Sequence, residues 1–283
     1  MRELFKINSI IKLRHNGASY FYSLKAEDKV KKYLQSKDVI NFVERQTNKR
    51  NFYKLLNQNL IIKTNSLSGF KRRILAHYSL QNKYGKFSLV DEYKILSRLN
   101  NISFVPKVYA YACNRYGLLK KEKLLIEYFP NSLSLSEYVE RYPNKIKESL
   151  LLTFELFEMA WKSAFAHMDP NPGNILFTSE GLKFIDFESC CLSLPEKGFY
   201  YGFCLGYLYH YWIKKYITDS EYDLVVKEFT NSLPSTINSD LFYRYYTHFK
   251  YNKVSRRLRY HCFHNEDVRL SLIDSELKIE STA

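Results

Sequence analysis

Cysteine, glycine and proline are all scarce in this chain, at 5, 9 and 7 of 283 residues. Five is an odd number of cysteines, two of them adjacent at Cys190 and Cys191, and no Cys-x-x-Cys pair occurs. That argues against a disulfide framework and suits a reducing compartment. His261-Cys262-Phe263-His264 has no further ligands at zinc spacing, so no metal is expected there. The few glycines and prolines, beside 25 tyrosines, are a compositional bias from which no function follows. Long apolar runs are missing too. The N-terminal residues mix charged with apolar side chains, so no signal peptide is expected. The longest uncharged apolar stretch, 199–213, contains Gly202, Gly206 and His210 and falls short of the ~20 residues a membrane span takes. The expectation is a cytoplasmic protein whose only membrane contact is peripheral, at the inner face of the cytoplasmic membrane.

Acidic residues are also in deficit. The formal net charge is +14, and residues 1–73 hold 17 Lys and Arg against 5 Asp and Glu, a local excess of +12. Such an excess either meets an anionic partner (phosphates, an acidic lipid surface, nucleic acid) or forms a solvated basic face. What is present in quantity is apolar and aromatic mass, 46% and 17%, which describes a folded chain with ample core.

Residues 1–36 are polar and basic, with too little periodicity to place. Beyond them, 39–43, 52–56 and 60–64 read as three strands joined by polar turns, an antiparallel meander. No glycine-rich loop lies between the first two, so the backbone of the 46–50 turn, or Lys49 and Arg50, would have to contact phosphates instead. Lys63 ends the third strand. A helix over 88–102 follows, with Leu89, Tyr93, Leu96 and Leu99 at helical spacing, Ser88 as N-cap and Glu92 at the edge of the apolar face. There Glu92 can turn inward to pair with Lys63, or serve only to cap its helix. Further strands are expected from Val105 and over 123–130. The clearest helix is 146–165, in which Leu150, Phe154, Phe157, Trp161 and Phe165 form one stripe. Helices over 199–216, 219–233 and 240–263 complete the chain. The last carries Lys250, Lys253, Arg256, Arg257 and Arg259, a cluster read either as an anion or membrane contact or as solvated. The tail from Asn265 reads as polar and frayed.

Chemistry concentrates in residues 167–188, His-Met-Asp-Pro-Asn-Pro-Gly-Asn-Ile-Leu-Phe-Thr-Ser-Glu-Gly-Leu-Lys-Phe-Ile-Asp-Phe-Glu. Asp169 can orient an attacking hydroxyl and accept its proton. Asn174 and Asp186 offer hard oxygen donors suited to Mg²⁺. Two short apolar segments, 175–177 and 182–185, form a hairpin that returns Asp186 to Asn174. An Asp-x₄-Asn alone is a weak signal; with the preceding His, the hairpin and the apolar-Asp-Phe at its end it becomes specific.

These residues resemble the protein-kinase-like superfamily, and within it bacterial lipopolysaccharide core kinases of the heptose kinase kind, with aminoglycoside and choline kinases close behind. The resemblance spans roughly 39–215. It implies an α+β, two-lobed kinase-like fold, with a small antiparallel-sheet lobe over 1–128 and a larger, mainly helical lobe over 129–283. It also implies ATP and Mg²⁺ as cofactors, with Asp169 as catalytic base and Asn174 and Asp186 as metal ligands. Lys63 and Glu92 would orient the phosphates, Ile126 line the adenine pocket, and the backbone from Glu127 to Phe129 read the adenine edge. The basic run Lys71, Arg72, Arg73 is similar in layout to the sugar kinases. Three departures bear on the acceptor. Asn171 stands where Ser/Thr protein kinases usually carry Lys. Glu188 replaces the Gly after Asp-Phe and could approach a metal. The short span between Asp186 and the next helix has no room for a peptide-docking segment.

The expected function is therefore ATP-dependent phosphorylation of a sugar hydroxyl, heptose first, of the lipopolysaccharide inner core, with an anionic membrane surface as a further partner. The alternatives are a Ser/Thr-type or Tyr protein kinase, an aminoglycoside- or choline-type small-molecule kinase, and a non-catalytic nucleotide- or nucleic-acid-binding module. Nucleic acid is the least expected partner, because no repeated aromatic-basic pattern occurs.

Overall fold

The computed structural model describes residues 10–36, 41–42, 50–66, 89–116, 119–233 and 239–280. The chain divides into two units, Met1–Asn131 and Ser132–Ala283. The first is a mixed unit built on one antiparallel sheet and the second is mainly helical, the two compositions expected of an α+β kinase-like chain.

In the first unit, the basic N-terminal residues without clear periodicity form a hairpin, β1 (Ile10–His15) and β2 (Ala18–Ser23). The turn uses Asn16 and Gly17, both at positive φ, the conformation that two-residue hairpin loops favour and that Asn and Gly tolerate. A short helix α1 (Glu27–Gln35) follows, with Glu27 and Asp28 in its first turn. Strands β3 (Asn41–Phe42), β4 (Arg50–Leu55) and β5 (Leu60–Ser66) make the expected meander. Helix α2 (Leu89–Arg98), β6 (Val108–Tyr116) and β7 (Leu119–Glu127) complete the unit. The sheet order is β1-β2-β6-β7-β5-β4-β3, antiparallel throughout. The N-terminal hairpin thus extends the edge of the sheet opposite to the meander. Strand β6 starts at Val108 rather than Val105, since Pro106 has no N–H to give to a ladder. Gln46, Lys49, Lys71, Arg72, Arg73 and Ser88 lie outside the described residues.

The second unit begins with β8 (Leu133–Ser134) and helix α3 (Leu135–Arg141). Ser134 and Glu137 close a full capping box at its start. Helix α4 (Ile146–Lys162) buries Leu150, Phe154 and Phe157 as its periodicity requires, and stops short of Phe165 because Ala164 turns to positive φ. Strands β9 (Ala166–His167), β10 (Ile175–Thr178), β11 (Gly181–Phe184) and β12 (Cys190–Cys191) carry the chemical stretch. The helices α5 (Lys197–Tyr211), α6 (Asp219–Ser232), α7 (Ser239–Tyr251), α8 (Arg256–His264) and α9 (Glu266–Glu280) complete the unit.

The apolar stretch at 199–213 is a core helix. Among its residues, Gly202 and Gly206 lie one turn apart on the face of α5 that meets α7. A Cβ on Gly206 would stand 2.6 Å from the Tyr246 carbonyl oxygen and 2.8 Å from the Lys250 nitrogen; one on Gly202 would stand 2.9 Å from the Tyr246 nitrogen. Backbone cannot yield as a side-chain tip can. Gly206→Ala is therefore expected to lower unfolding free energy by about 2 kcal/mol through overpacking, read as a lower urea midpoint at unchanged slope.

Two expectations in this unit are corrected. The helix expected over 240–263 is two helices. Ser255 accepts a hydrogen bond from the Leu258 N–H (3.1 Å) and starts α8 afresh, while the Tyr211 hydroxyl, 2.8 Å from the Val254 carbonyl, holds the turn between them. The tail from Asn265 is not frayed over its described length. Asn265 caps α9, its Oδ1 accepting from Asp267 N at 2.9 Å, and buried Arg269 donates to the Cys262 carbonyl at 2.9 Å. None of the five cysteines forms a disulfide. Among the described residues no helix is long and apolar enough to cross a membrane.

Candidate active site

In the first unit, alternation along β5 places Lys63 and Asn65 on one face of the sheet and Ile62 on the other, which packs with Leu60 and Leu125. Lys63 is 6% exposed and Glu92, in the first turn of α2, only 1%. The Lys63 Nζ lies 2.6 Å from Glu92 Oε1. Two charges so far from water persist because each neutralises the other. The helix bearing Glu92 is anchored by a residue that sequence reading missed. Glu122, buried on β7, accepts from the Tyr111 hydroxyl at 2.7 Å and from Leu89 N, the first amide of α2, at 3.4 Å. A carboxylate there complements the positive end of the helix dipole. Nothing in a strand reading Lys-Lys-Glu-Lys marks one glutamate as buried.

Ile126 is buried on β7, paired with Ile61 and Val108. The backbone expected to read adenine is partly committed within its own unit. The Glu127 N–H donates to the Lys107 carbonyl and the Tyr128 N–H to the Asn59 carbonyl, both at 2.9 Å. Those two donors are thereby removed from the set open to adenine; the Glu127 carboxylate is likewise engaged, accepting from Lys107 N at 3.0 Å. Phe129 comes next, half-buried.

In the second unit, the chemical stretch is held by its own hydrogen bonds. His167 is fully enclosed, its ring stacked on Phe184 with centroids 5.1 Å apart. Its Nε2 lies 2.9 Å from the Ile185 carbonyl, and its Nδ1 accepts from the Asp169 N–H at 3.2 Å. This sets one neutral tautomer, and burial holds the imidazole pKa below its ordinary value. His167 therefore ties the loop bearing Asp169 to the strand that leads into Asp186. The pairing of β9 with β12, Cys190 opposite His167, reinforces the same closure.

Asn171 acts as a cap. Its Oδ1 accepts from the Gly173 N–H at 2.9 Å and starts the single 3₁₀ turn Pro172–Asn174. Asn174 Nδ2 then donates to the Asp169 carbonyl at 3.0 Å, and its own carbonyl accepts from Ile185 N at 2.9 Å. With the amide nitrogen so used, the side-chain oxygen is the atom that a cation would take. The hairpin pairs Ile175 with Phe184, which returns Asp186 to the end of the hairpin where Asn174 sits. Asp186 is in the left-handed region, φ 63, a conformation that Asp tolerates better than most side chains. A carboxylate and an amide oxygen at one end of a hairpin are a hard, oxygen-only donor pair, fitting Mg²⁺ rather than a softer metal. Among the described residues no group of three His, Cys, Asp or Glu converges as a metal site. Glu188 meets Arg256 Nη2 at 3.0 Å.

The basic cluster of the C-terminal helices is corrected as well. Lys250 is 2% exposed and bonds Asp223 at 2.5 Å and Asp219 at 3.0 Å. Arg259 is buried, its Nη1 2.6 Å from Asp169 Oδ1 and 2.8 Å from the Met168 carbonyl. The Tyr207 hydroxyl donates to the same Oδ1 at 2.8 Å. Burial alone would raise the Asp169 carboxyl pKa, but the Arg259 charge and these hydrogen bonds outweigh it and hold the group below its ordinary value. Neither Arg259 nor Tyr207 was legible as a site residue, because each reaches Asp169 across 90 and 38 residues of sequence.

A family model described as the lipopolysaccharide kinase (Kdo/WaaP) family matches residues 47–201, more than half the chain. No curated protein sequence matches. Similar solved structures include WbdD, 15% identical with a TM-score of 0.49, covering 85% of this chain and 51% of that one. They also include WaaP in complex with acyl carrier protein, 14% identical with a TM-score of 0.45, covering 84% and 87%. The chain thus spans about half the length of the WbdD structure.

Proposed function

The chain belongs to the lipopolysaccharide kinase (Kdo/WaaP) family and is a nucleotide-using kinase, and from that premise we propose that it phosphorylates a heptose hydroxyl of the lipopolysaccharide inner core, using ATP with Mg²⁺. The observation that carries this reading is the closure of the catalytic loop on its hairpin through Asn174, which bonds both the Asp169 carbonyl and the Ile185 amide. Asp169 orients the sugar hydroxyl and takes its proton. Lys63, paired with Glu92, contacts the nucleotide phosphates. Asn174 and Asp186 are the residues that would hold Mg²⁺, which when bound neutralises charge on the transferring phosphoryl group.

The shortness of the chain after Asp186 supports a small acceptor. A short 3₁₀ turn, Phe187–Ser189, the two-residue β12 and five further residues intervene before α5 begins at Lys197. That span offers no long segment on which a peptide could lie. The excess of +12 over residues 1–73 suits an anionic, lipid-anchored acceptor and contact with the inner-membrane surface.

The test is direct. Purified protein with Mg·ATP and dephosphorylated core oligosaccharide is expected to give a product one phosphate heavier by mass spectrometry, with fragmentation placing the phosphate on heptose. Phosphorylation of a peptide library with the oligosaccharide left untouched would overturn the assignment. In cells lacking the gene, lipopolysaccharide is expected to lack the same phosphate.

A further inference from the structure

The loop around Asp169 carries no cation of its own, since Asn171 is spent on capping the 3₁₀ turn Pro172–Asn174. The cation comes from α8 instead. We propose that Arg259, together with Tyr207, is the positioning element of the transfer site, fixing Asp169 through one carboxylate oxygen so that the other faces the acceptor hydroxyl. This rests on the reading of Asp169 given above.

Both donors converge on Oδ1: Arg259 Nη1 at 2.6 Å and the Tyr207 hydroxyl at 2.8 Å. Among the described residues Oδ2 accepts no hydrogen bond. Two donors from different helices leave the carboxylate little freedom about its own bonds, which is what a near-attack arrangement requires. The donors are themselves held. The guanidinium lies over the Tyr207 ring, 5.0 Å from its centroid, and its Nη1 also grips the Met168 carbonyl. Tyr207 packs on Tyr211, centroids 4.3 Å apart, and the Tyr211 hydroxyl bonds both the carbonyl and the amide of Val254, just before α8. One turn earlier on α8, Arg256 takes Glu188 and the Ser189 hydroxyl at 3.0 and 3.2 Å. One face of α8 therefore grips both the Asp169 loop and the segment after Asp186.

Stability alone does not account for Arg259. Its Nε is buried without a hydrogen-bond partner, a cost that an apolar side chain of similar volume would avoid. An incompletely satisfied buried polar group in a native protein calls for a reason, and a role in catalysis is one such reason.

The experiment compares wild type with Arg259→Ala, Arg259→Lys, Tyr207→Phe and Asp169→Asn, with Mg·ATP and core oligosaccharide. Arg259→Ala is expected to lower kcat ~100-fold with KM for ATP within about two-fold, as misplacement of the reacting group does. Added guanidinium ion is expected to restore part of that kcat in Arg259→Ala and none in Asp169→Asn. Arg259→Lys keeps an intermediate kcat, and Tyr207→Phe loses roughly ten-fold. A purely structural Arg259 would lower the melting temperature and leave kcat per folded molecule unchanged, without guanidinium rescue; that result overturns the proposal. Should Arg259→Ala fail to fold, Tyr207→Phe decides: kcat within about two-fold of wild type removes the positioning role. Failure of the underlying reading looks different. Asp169→Asn would then transfer phosphate as well as wild type, or wild type would transfer none, and the inference would fall with it.

Discussion

Asp169→Asn is expected to reduce phosphate transfer by about 10³-fold while leaving nucleotide binding intact, since an amide can hold the position but cannot take the hydroxyl proton. The check is a steady-state assay beside nucleotide titration of the same preparation. A variant that still turns over at a tenth of the wild-type rate would remove Asp169 from the chemistry. The same substitution has a second signature. Burial works against an ionised Asp169, but Arg259 and Tyr207 more than offset it, so the folded pKa lies below the unfolded one. A group shifted down in this way adds stability above its unfolded pKa and loses it as pH falls through the folded value. The wild type is therefore expected to melt higher than Asp169→Asn at neutral pH, with the gap closing as pH falls through the lowered folded pKa of Asp169. A gap independent of pH would mean that the ion pair with Arg259 does not form in solution.

Lys63→Met carries the other large effect, and it acts on stability and activity together. The substitution keeps the volume but leaves Glu92, 1% exposed, without the cation 2.6 Å away. Removing one partner of a buried ion pair costs about 3–5 kcal/mol. Transfer is expected to fall by at least ~10², because the charge proposed to meet the nucleotide phosphates is gone. The double variant Lys63→Met, Glu92→Gln separates the two effects. It should regain most of the lost stability, with neither member of the pair left ionised, and none of the activity. Recovery of turnover in the double variant would show that Lys63 serves only to neutralise Glu92.

Much of this layout is legible in the residues alone. The aromatic stripe of 146–165, the meander ending at Lys63, the amphipathic helix bearing Glu92 and the hairpin between Asn174 and Asp186 all lie within local stretches. There the period of the apolar residues and the turn chemistry act over a few neighbours, so the sequence carries them directly. The Asp-x₄-Asn spacing with its hairpin identifies the chemistry for the same reason, since these donors are brought together by a short closed loop.

Other features are not legible, each for a definable reason. The N-terminal hairpin is short, and the alternation of β1, with Ile11 and Leu13 packed on the core and Lys12 and Arg14 exposed, covers only four residues of a basic stretch. Gly202 and Gly206 look like interruptions of an apolar run until α7 is seen pressed against them. The C-terminal basic cluster shows the limit most plainly. In sequence Lys250, Arg256 and Arg259 are one run of positive charge. In the fold they part company: Lys250 is buried against Asp219 and Asp223, Arg256 takes Glu188, and Arg259 grips Asp169. Sequence by itself determined the meander, the aromatic helix, the helix bearing Glu92 and the hairpin after Asn174, because those depend on contacts between near neighbours. Only tertiary structure decided which cation pairs with Asp169, because an ion pair between residues 90 apart leaves no periodicity or spacing to read.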